Sequence, residues 1–217
     1  MILHEAEMKA CIGYISANQK MPVMRRKEKG REMKRKSMGT IQSMCVQPTF
    51  LIGTYDERGK ADFAPITWLS ETCEDPEYLI VISMWGPKKT KINVQKTGKL
   101  SANLVSVDML PLVDYFGSIS GHDGEKNGIE YSCGKGEVLD VPTLDASKWV
   151  YELEVARIVT VGQSDTFFCR IKNVQIDSTI DISDGINLMD FDPVVYSGHY
   201  HSVGKHLGKI GDYLYKE

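Results

Sequence analysis

A run of small residues that ends in an aromatic, Ala64-Pro65-Ile66-Thr67-Trp68, is where a flat ligand could bind this chain. Small side chains let backbone amides come close to a ligand, and the indole of Trp68 offers an apolar wall. Pro65 cannot donate a hydrogen bond to a neighbouring strand, so it predicts a sheet edge, a bulge or the mouth of a barrel. A tryptophan on a strand more often packs in a core or an interface. The segment therefore predicts a site for a flat, aromatic ligand only together with its neighbours.

Residue types that carry nucleophilic, metal or nucleotide chemistry lack a diagnostic spacing. The five cysteines are widely separated and form no CxxC pair, so we expect reduced thiols, no disulfide framework and no zinc site. Cys133 could be reactive, but a small residue beside a turn is the simpler explanation. There is no GxxxxGK[ST] motif and no GxGxxG after a strand, and the glycine-rich stretch 117–134 is a weak signal for phosphate. We predict no catalytic side chain and no metal site.

The elements that would position the small-residue segment are a strand, a turn and a second strand. Apolar alternation predicts a half-buried strand over Thr49–Tyr55. The residues Asp56–Gly59 have turn chemistry, with Gly59 free to take positive φ. The chain then re-extends from Ala61 to Ser70. The apolar run Tyr78–Met84 predicts a strand that is buried on both faces.

Two short helices are predicted between the strands. Pro87 opens a helix that runs to about Lys96, and Gly98 ends it in the usual C-terminal position. Asp108 is a plausible N-cap for a second helix, which runs through Tyr115.

The rest of the chain is patterned as long antiparallel strands. Leu100–Ser106 is one strand, and Trp149–Ala156 alternates with a two-residue period. The apolar phase slips between Phe167–Ile171 and Val174–Ile176, which predicts a bulge near Lys172–Asn173. Long strands with only two helices favour a closed β-barrel over a parallel α/β sheet.

Charge distinguishes the N-terminal segment 1–36 from the rest of the chain. This segment holds ten Lys or Arg and four Asp or Glu, whereas the remainder, 37–217, is net acidic. We interpret residues 1–40 as a basic, poorly ordered or peripheral arm and 41–217 as the folded domain, with Met33 as an alternative start. An acidic body argues against nucleic-acid binding. The chain has no apolar run of about 18 residues and no apolar signal region, so we expect no membrane span and a cytoplasmic protein.

An ordered series of motifs in the chain resembles the flavin reductase-like, FMN-binding split-barrel family, which includes the flavoredoxins. The resemblance covers Val46 to Leu207. The motifs are Gly53-Thr54, the turn with Gly59, Ala64–Trp68, the strand YLIVISM, Lys88-Lys89-Thr90, Asn103-Leu104, and Tyr196–Tyr200 followed by Val203-Gly204-Lys205. It implies a mainly β fold, a six-stranded antiparallel split β-barrel with a few peripheral helices. It also implies a homodimer that binds two FMN molecules near the subunit interface.

The same resemblance implies roles for three groups of residues. The group that borders the isoalloxazine ring comprises Phe63, Ala64, Pro65, Ile66, Thr67 and Trp68. The group that approaches the ribityl chain or the phosphate comprises Ser83, Met84 and Trp85. The group that contacts the phosphate comprises Lys88, Lys89 and Thr90. A phosphate beside this predicted helix start would gain free backbone N–H groups and the positive end of the helix dipole; a solvated helix face is the alternative. His199 is a substrate-pocket candidate without a catalytic role, because hydride transfer to a flavin needs no protein acid or base.

Three functions are compatible with this series of motifs. The first is an FMN-dependent oxidoreductase that carries electrons from NAD(P)H through bound FMN to an acceptor. The second is a flavoredoxin-like electron carrier, which is reduced by a partner protein and has no nicotinamide site. The third is a split-barrel module that has lost its cofactor. We predict the first and keep the second as its alternative.

Overall fold

The structure is a computed structural model that describes residues 35–40, 45–74, 76–121 and 128–208. The chain divides into two compact units, Met1–Gln42 and Ser43–Glu217. In the first unit, residues 35–40 are exposed and form neither helix nor strand. Most of the predicted basic arm, including Met33, lies outside the described residues, so the arm stays a prediction.

The described residues of the second unit form short and long strands, two α-helices and two short 3₁₀ helices. In chain order the strands are β1 (Gln47–Pro48), β2 (Phe50–Tyr55), β3 (Ala61–Ile66), β4 (Leu69–Glu74), β5 (Glu77–Trp85), β6 (Lys99–Leu104), β7 (Cys133–Lys135), β8 (Pro142–Leu144), β9 (Trp149–Val161), β10 (Ser164–Ile176), β11 (Val194–Tyr196) and β12 (Tyr200–Ser202). The α-helices are α1 (Lys89–Thr97) and α2 (Leu110–Ser118), and the 3₁₀ helices are Val107–Met109 and Leu188–Phe191. Within the described residues, no helix is long and apolar enough to cross a membrane.

Seven of the strands form one antiparallel sheet in the order β3-β2-β6-β9-β10-β5-β4. β3 comes close to β5, and α1, which connects β5 to β6, contacts both β2 and β3. The sheet therefore curls into a split barrel with α1 beside the gap. This confirms the predicted mainly β split barrel with peripheral helices; β4 is an additional strand at the edge, paired with β5. Two smaller sheets, β1-β11-β12 and β7-β8, lie outside this order.

The turn between β2 and β3 forms as the sequence predicts. Asp56 Oδ1 accepts hydrogen bonds from the N–H groups of Arg58 and Lys60, each at 2.9 Å. Gly59 has a φ of 74°, which a residue with a Cβ rarely adopts. Pro65 lies in β3, which is the first strand in the order of the main sheet, as its missing N–H predicts for an edge strand.

Both helices begin later than predicted, and α1 begins at Lys89 rather than at Pro87. Gly98 ends α1 with a φ of 68°, and its N–H donates to the carbonyl of Val94, as expected for a helix stop. Asp108 does not cap α2: it lies inside the preceding 3₁₀ helix, and its carboxylate accepts a hydrogen bond from the Ser106 hydroxyl. α2 therefore begins later than predicted, at Leu110.

β2 is buried on both of its faces. Ile52 packs with Leu100 in the barrel core, whereas Leu51 packs with Phe63 and Phe116 in a second apolar cluster. The prediction of a half-buried strand is wrong here, because α2 and the residues after it cover the outer face. Local alternation cannot reveal a covering layer that comes from a distant part of the chain.

β5 shows the opposite difference. Ile80 and Ile82 are buried, but the intervening Val81 and Ser83 are partly exposed and Trp85 is exposed. The prediction that this apolar strand is buried on both faces is therefore wrong within this chain. On its outer face Leu79 is buried, but the described residues leave the part of that face from Val81 to Trp85 incompletely covered.

A buried carboxylate on β9 organises the loop that precedes β8. Glu152 is 0% exposed and accepts hydrogen bonds from the backbone N–H groups of residues 137–139 and from the side-chain amides of Asn173 and Gln175. Burial alone would raise the pKa of Glu152, but the N–H group of Leu139 and the other donors hold it at about 2. The carboxylate is therefore ionised and serves as a structural anion.

The pairing of β9 and β10 contains the predicted irregularity. The register shifts between Ile171 and Asn173, which confirms the bulge near Lys172–Asn173, and the shift puts Asn173 opposite Glu152. A second shift, between Phe168 and Cys169, was not predicted.

Candidate functional site

A cavity of about 340 Å³ lies where β3, the segment that leads into α1, and the end of α2 with the residues that follow it meet. We call it the α1 cavity. It is lined by Asp62, Ala64, Pro65, Trp85, Gly86, Pro87, Lys88, Lys89, Thr90, Phe116, Gly117, Ser118, Ile119, Ser120 and Gly121.

Half of the residues that the resemblance implies for the site line this cavity. They are Ala64, Pro65, Trp85, Lys88, Lys89 and Thr90. They come from two segments that are well separated in the chain. Antiparallel pairing within the barrel and the short connection from β5 into α1 bring them together.

The other candidates lie away from the cavity. Phe63, Ile66 and Met84 are buried in the apolar clusters and do not line the cavity. Trp68 is 49% exposed beyond the end of β3.

Three further candidates, Ser83, His199 and Thr67, also lie outside the lining of the α1 cavity. The Ser83 hydroxyl forms a hydrogen bond with the Thr166 hydroxyl on β10 at 2.8 Å. His199 is exposed in the turn between β11 and β12, where its carbonyl accepts the N–H of Ser197. Thr67 is partly exposed between β3 and β4 and does not line the cavity.

The start of α1 offers unpaired backbone donors to the cavity. The carbonyl of Lys88 accepts the N–H of Ile92, so the helical ladder begins there and the N–H groups of residues 89–91 precede it. The N-cap residue Lys88 makes no side-chain capping bond, none of the described side chains is seen to accept from these groups, and the first turn holds no acidic residue. The positive end of the helix dipole therefore faces the cavity, which favours a bound anion.

The lysines at this helix start are not equivalent. The Lys89 ammonium forms an ion pair with Asp56 at 3.1 Å, and Lys91 pairs with Asp165 at 3.4 Å. Burial alone would raise the pKa of Asp56, but the N–H of Lys60 and the Lys89 ammonium hold it below its usual value. Lys88 is exposed and has no ion pair among the residues that the structure describes. Lys88 is therefore the cation most available to a ligand here.

Thr90 has a partner that the sequence analysis did not find. Its hydroxyl donates to Asp62 Oδ2 at 2.7 Å, and both side chains are buried. A hydroxyl has a single hydrogen, so Thr90 cannot donate to a phosphate while this bond exists. Asp62 lies in β3, in a different segment of the chain, and no local pattern connects the two.

The third wall of the cavity, residues 116–121, was also missed as part of the site. At Gly117 a Cβ atom would lie 3.2 Å from Pro65 Cγ, and at Gly121 it would lie 2.8 Å from Asp62 Oδ1. Glycine therefore lets this backbone approach β3 and α1 closely. The glycine-rich composition of 117–134 was a signal for such an approach; residues 122–127 of that stretch lie outside the described ones.

The residues present fit a ligand that has an anionic end and a flat apolar end. Uncapped N–H groups and the Lys88 ammonium suit a phosphate, while Ala64, Pro65 and the 59% exposed Trp85 offer apolar surface beside it. Among the described residues, no three His, Cys, Asp or Glu side chains come together as metal ligands.

Comparison with known proteins gives a consistent family and fold. The model of the flavin reductase-like domain matches residues 42–204. A flavoredoxin of Desulfovibrio vulgaris (Miyazaki F) superposes with a TM-score of 0.76 at 24% identity over 83% of this chain and 99% of its own. A flavoredoxin from Methanosarcina acetivorans does so with a TM-score of 0.75 at 19% identity over 83% and 97%.

A more distant structure has the same fold. The FMN-binding protein from Thermus thermophilus, with bound p-hydroxybenzaldehyde, has a TM-score of 0.66 at 21% identity over 82% of this chain and 99% of its own. No curated protein matches the chain in sequence. The structural likenesses establish the split-barrel fold, and the match over residues 42–204 establishes the family. The chain belongs to the flavin reductase-like domain family.

Proposed function

We propose that this protein is an FMN-binding oxidoreductase that carries electrons from NAD(P)H through bound FMN to an acceptor. The observation that carries the proposal is the α1 cavity, which joins an uncapped helix start to an apolar wall from β3 and the end of β5. Membership of the flavin reductase-like domain family supports a flavin as the ligand.

The protein's contribution is to bind and orient the flavin. The N–H groups at the start of α1 and the Lys88 ammonium would bind the phosphate, because they combine the positive end of the helix dipole with a cation that has no ion pair among the described residues. Pro65 and Trp85 lie against the ring side and exclude water from it. FMN, when bound, supplies the hydride and electron chemistry. We assign no acid, base or nucleophile to the chain.

We also propose that the protein is a homodimer, formed through the outer face of β5, β10 and β9. Residues directly opposite one another on paired strands share a face, and two such rows run across these strands. The rows are Trp85, Ser164 and Val161, and Ser83, Thr166 and Val159. Trp85 belongs both to this outer face and to the α1 cavity, so a second subunit on the face would border the ring side of the flavin.

An apolar, solvent-facing sheet supports this interface. Val161 is 71% exposed and Val159 is also exposed, in a position where a monomer would expose apolar side chains to water. Ser83 and Trp68 do not line the α1 cavity of the single chain, and the N–H of Ser83 donates to the carbonyl of Trp68. We expect them to contribute to the site from this interface.

An absorbance spectrum before and after anaerobic addition of NADPH or NADH tests the cofactor and the electron donor together. We expect yellow protein, with flavin bands that bleach when the nicotinamide nucleotide is added. Yellow protein that bleaches only with a low-potential partner protein would support the flavoredoxin-like carrier instead. Colourless protein that takes up no added FMN would rule out both.

A further inference from the structure

α1 is held against the barrel mainly by polar contacts. Its buried residues are Thr90, Asn93 and Val94, of which only Val94 is apolar. The Asn93 amide donates to the Thr54 hydroxyl at 3.0 Å, and the Thr90 hydroxyl donates to Asp62 at 2.7 Å. Hydrogen bonds weaken steeply when their geometry departs from linear, so these two bonds constrain the orientation of the helix.

The Thr90–Asp62 bond is the fully buried side-chain contact nearest the ligand end of the helix. Thr90 is the second residue of α1, and its own N–H is one of the three that precede the helical ladder. Asp62 lines the α1 cavity from β3, the strand that also supplies Ala64 and Pro65. The bond therefore joins the donor end of the proposed phosphate site to its apolar wall.

We propose that Asp62 is a positioning residue for the phosphate of the flavin. By accepting the Thr90 hydroxyl, it holds the first turn of α1 so that the N–H groups of residues 89–91 face the cavity. The phosphate is then bound by main-chain donors and Lys88, and the Thr90 hydroxyl acts on it only indirectly. This inference rests on the proposed function, because it takes the flavin phosphate as the ligand.

A double-mutant cycle measured with two flavins tests the proposal. Dissociation constants for FMN and for riboflavin, which lacks the phosphate, are obtained by flavin fluorescence titration for wild type, Asp62→Ala, Thr90→Val and the double variant. We expect each single variant to bind FMN about tenfold more weakly, the scale of one lost hydrogen bond, with riboflavin binding unchanged. The double variant should bind FMN no more weakly than either single variant, since both remove the same bond.

Two variants serve as matched controls. Asp62→Asn keeps a side-chain oxygen that can accept the Thr90 hydroxyl, so it should restore most of the FMN affinity. Thr97→Val removes a hydroxyl from the same helix at its far end, where Thr97 donates to the Asn93 carbonyl. It should leave both affinities unchanged.

Several outcomes would overturn the positioning role. Weaker FMN binding in Thr90→Val alone, with Asp62→Ala unchanged or tighter, would show that the hydroxyl binds phosphate directly. Equal losses for FMN and riboflavin would show that the pair matters only for folding. Failure of the wild type to bind either flavin would instead contradict the proposed function, and it is seen before any variant is made.

A measurement on ligand-free protein covers the case in which Asp62→Ala does not fold. Amide hydrogen exchange at residues 92–94, whose N–H groups form the first bonds of the helical ladder, should be faster in Thr90→Val than in wild type, because the first turn has lost its attachment to β3. Unchanged exchange at these residues would contradict the proposal.

Discussion

At the scale of single residues, charge at the cavity is distributed less evenly than the sequence suggests. Lys88, Lys89 and Thr90 form one run in the sequence, but each has a different environment. Lys89 is engaged by Asp56 and Thr90 by Asp62, which leaves Lys88 as the available cation among the described residues of this run. The three residues therefore should not contribute equally to phosphate binding.

Replacement of the two lysines should separate their roles. Lys88→Ala should weaken FMN binding by about tenfold, since it removes a charge-assisted contact to the phosphate. Lys89→Ala should weaken it by about twofold or less, because its ammonium is already paired with Asp56. The dissociation constants are measured by fluorescence titration at low and high salt, and the Lys88 effect should shrink with added salt. A larger loss from Lys89→Ala would show that Lys89 leaves Asp56 when FMN binds.

Another residue-scale prediction concerns Glu152, whose pKa lies at about 2 in the folded protein against 4.5 as the ordinary value. The lowered pKa stabilises the folded protein above pH 4.5, by about 3 kcal/mol for a shift of this size. That stabilisation is lost as the pH falls from 4.5 towards 2. Glu152→Gln should therefore unfold at lower urea concentration than wild type at pH 7, with a difference that narrows below pH 4.5. A difference that stays constant down to pH 3 would contradict the assignment.

At the scale of elements, β2 lies between the barrel core and the second apolar cluster, which contains Leu51, Phe63 and Phe116. A glycine is needed in this strand at position 53. A Cβ atom at Gly53 would lie 2.5 Å from Ser101 Oγ, 2.6 Å from Phe63 Cε1 and 2.7 Å from the Pro142 carbonyl. Three neighbours from three different segments would have to move. The backbone of β2 at Gly53 therefore has no room for a side chain.

Gly53→Ala should lower the free energy of unfolding by roughly 2–3 kcal/mol through overpacking. Gly204→Ala is the matched control, because nothing lies within 4 Å of a Cβ atom at that position. Urea unfolding curves of the two variants measure the difference. Equal midpoints would mean that the neighbours of Gly53 can shift at little cost.

The elements also show how far sequence reasoning reached. Gly59, Pro65 and Gly98 carry their conformational constraints locally, so the turn, the edge strand and the helix stop could be predicted. Glu152 is buried although it is charged and lies on the opposite face of β9 from Tyr151 and Leu153, and nothing near it in sequence signals the donors that surround it. Likewise, the Asp62–Thr90 bond and the wall at 116–121 depend on contacts between distant segments. Half of the predicted site residues line the cavity, and they could be predicted because the ordered series of family motifs contains them. Asp56 and Asp62, the polar partners of Lys89 and Thr90, had no local sequence signal.

At the scale of the whole molecule, the exposed face of β5, β10 and β9 is the place where we propose that a second subunit packs. The double variant Val159→Arg with Val161→Arg should convert a dimer into a monomer, because it buries two unpaired charges in the interface. Light scattering after size-exclusion chromatography gives the mass. Val138→Arg, at another exposed valine, is the control and should stay dimeric. A wild type that elutes as a monomer would contradict the interface.

The polar contacts of α1 join strands from the two halves of the main sheet. Thr90 and Asn93 bind β3 and β2, while Lys91 and Gln95 bind Asp165 on β10, so one helix bridges strands from opposite parts of the sheet order. A ligand that binds the start of α1 favours the state in which all these bonds are made. By thermodynamic linkage, the closed barrel then gains stability as the ligand concentration rises. Opening of the barrel at the gap beside α1 lowers the ligand affinity by the same free energy. Retention of the ligand and closure of the barrel are thus a single coupled equilibrium.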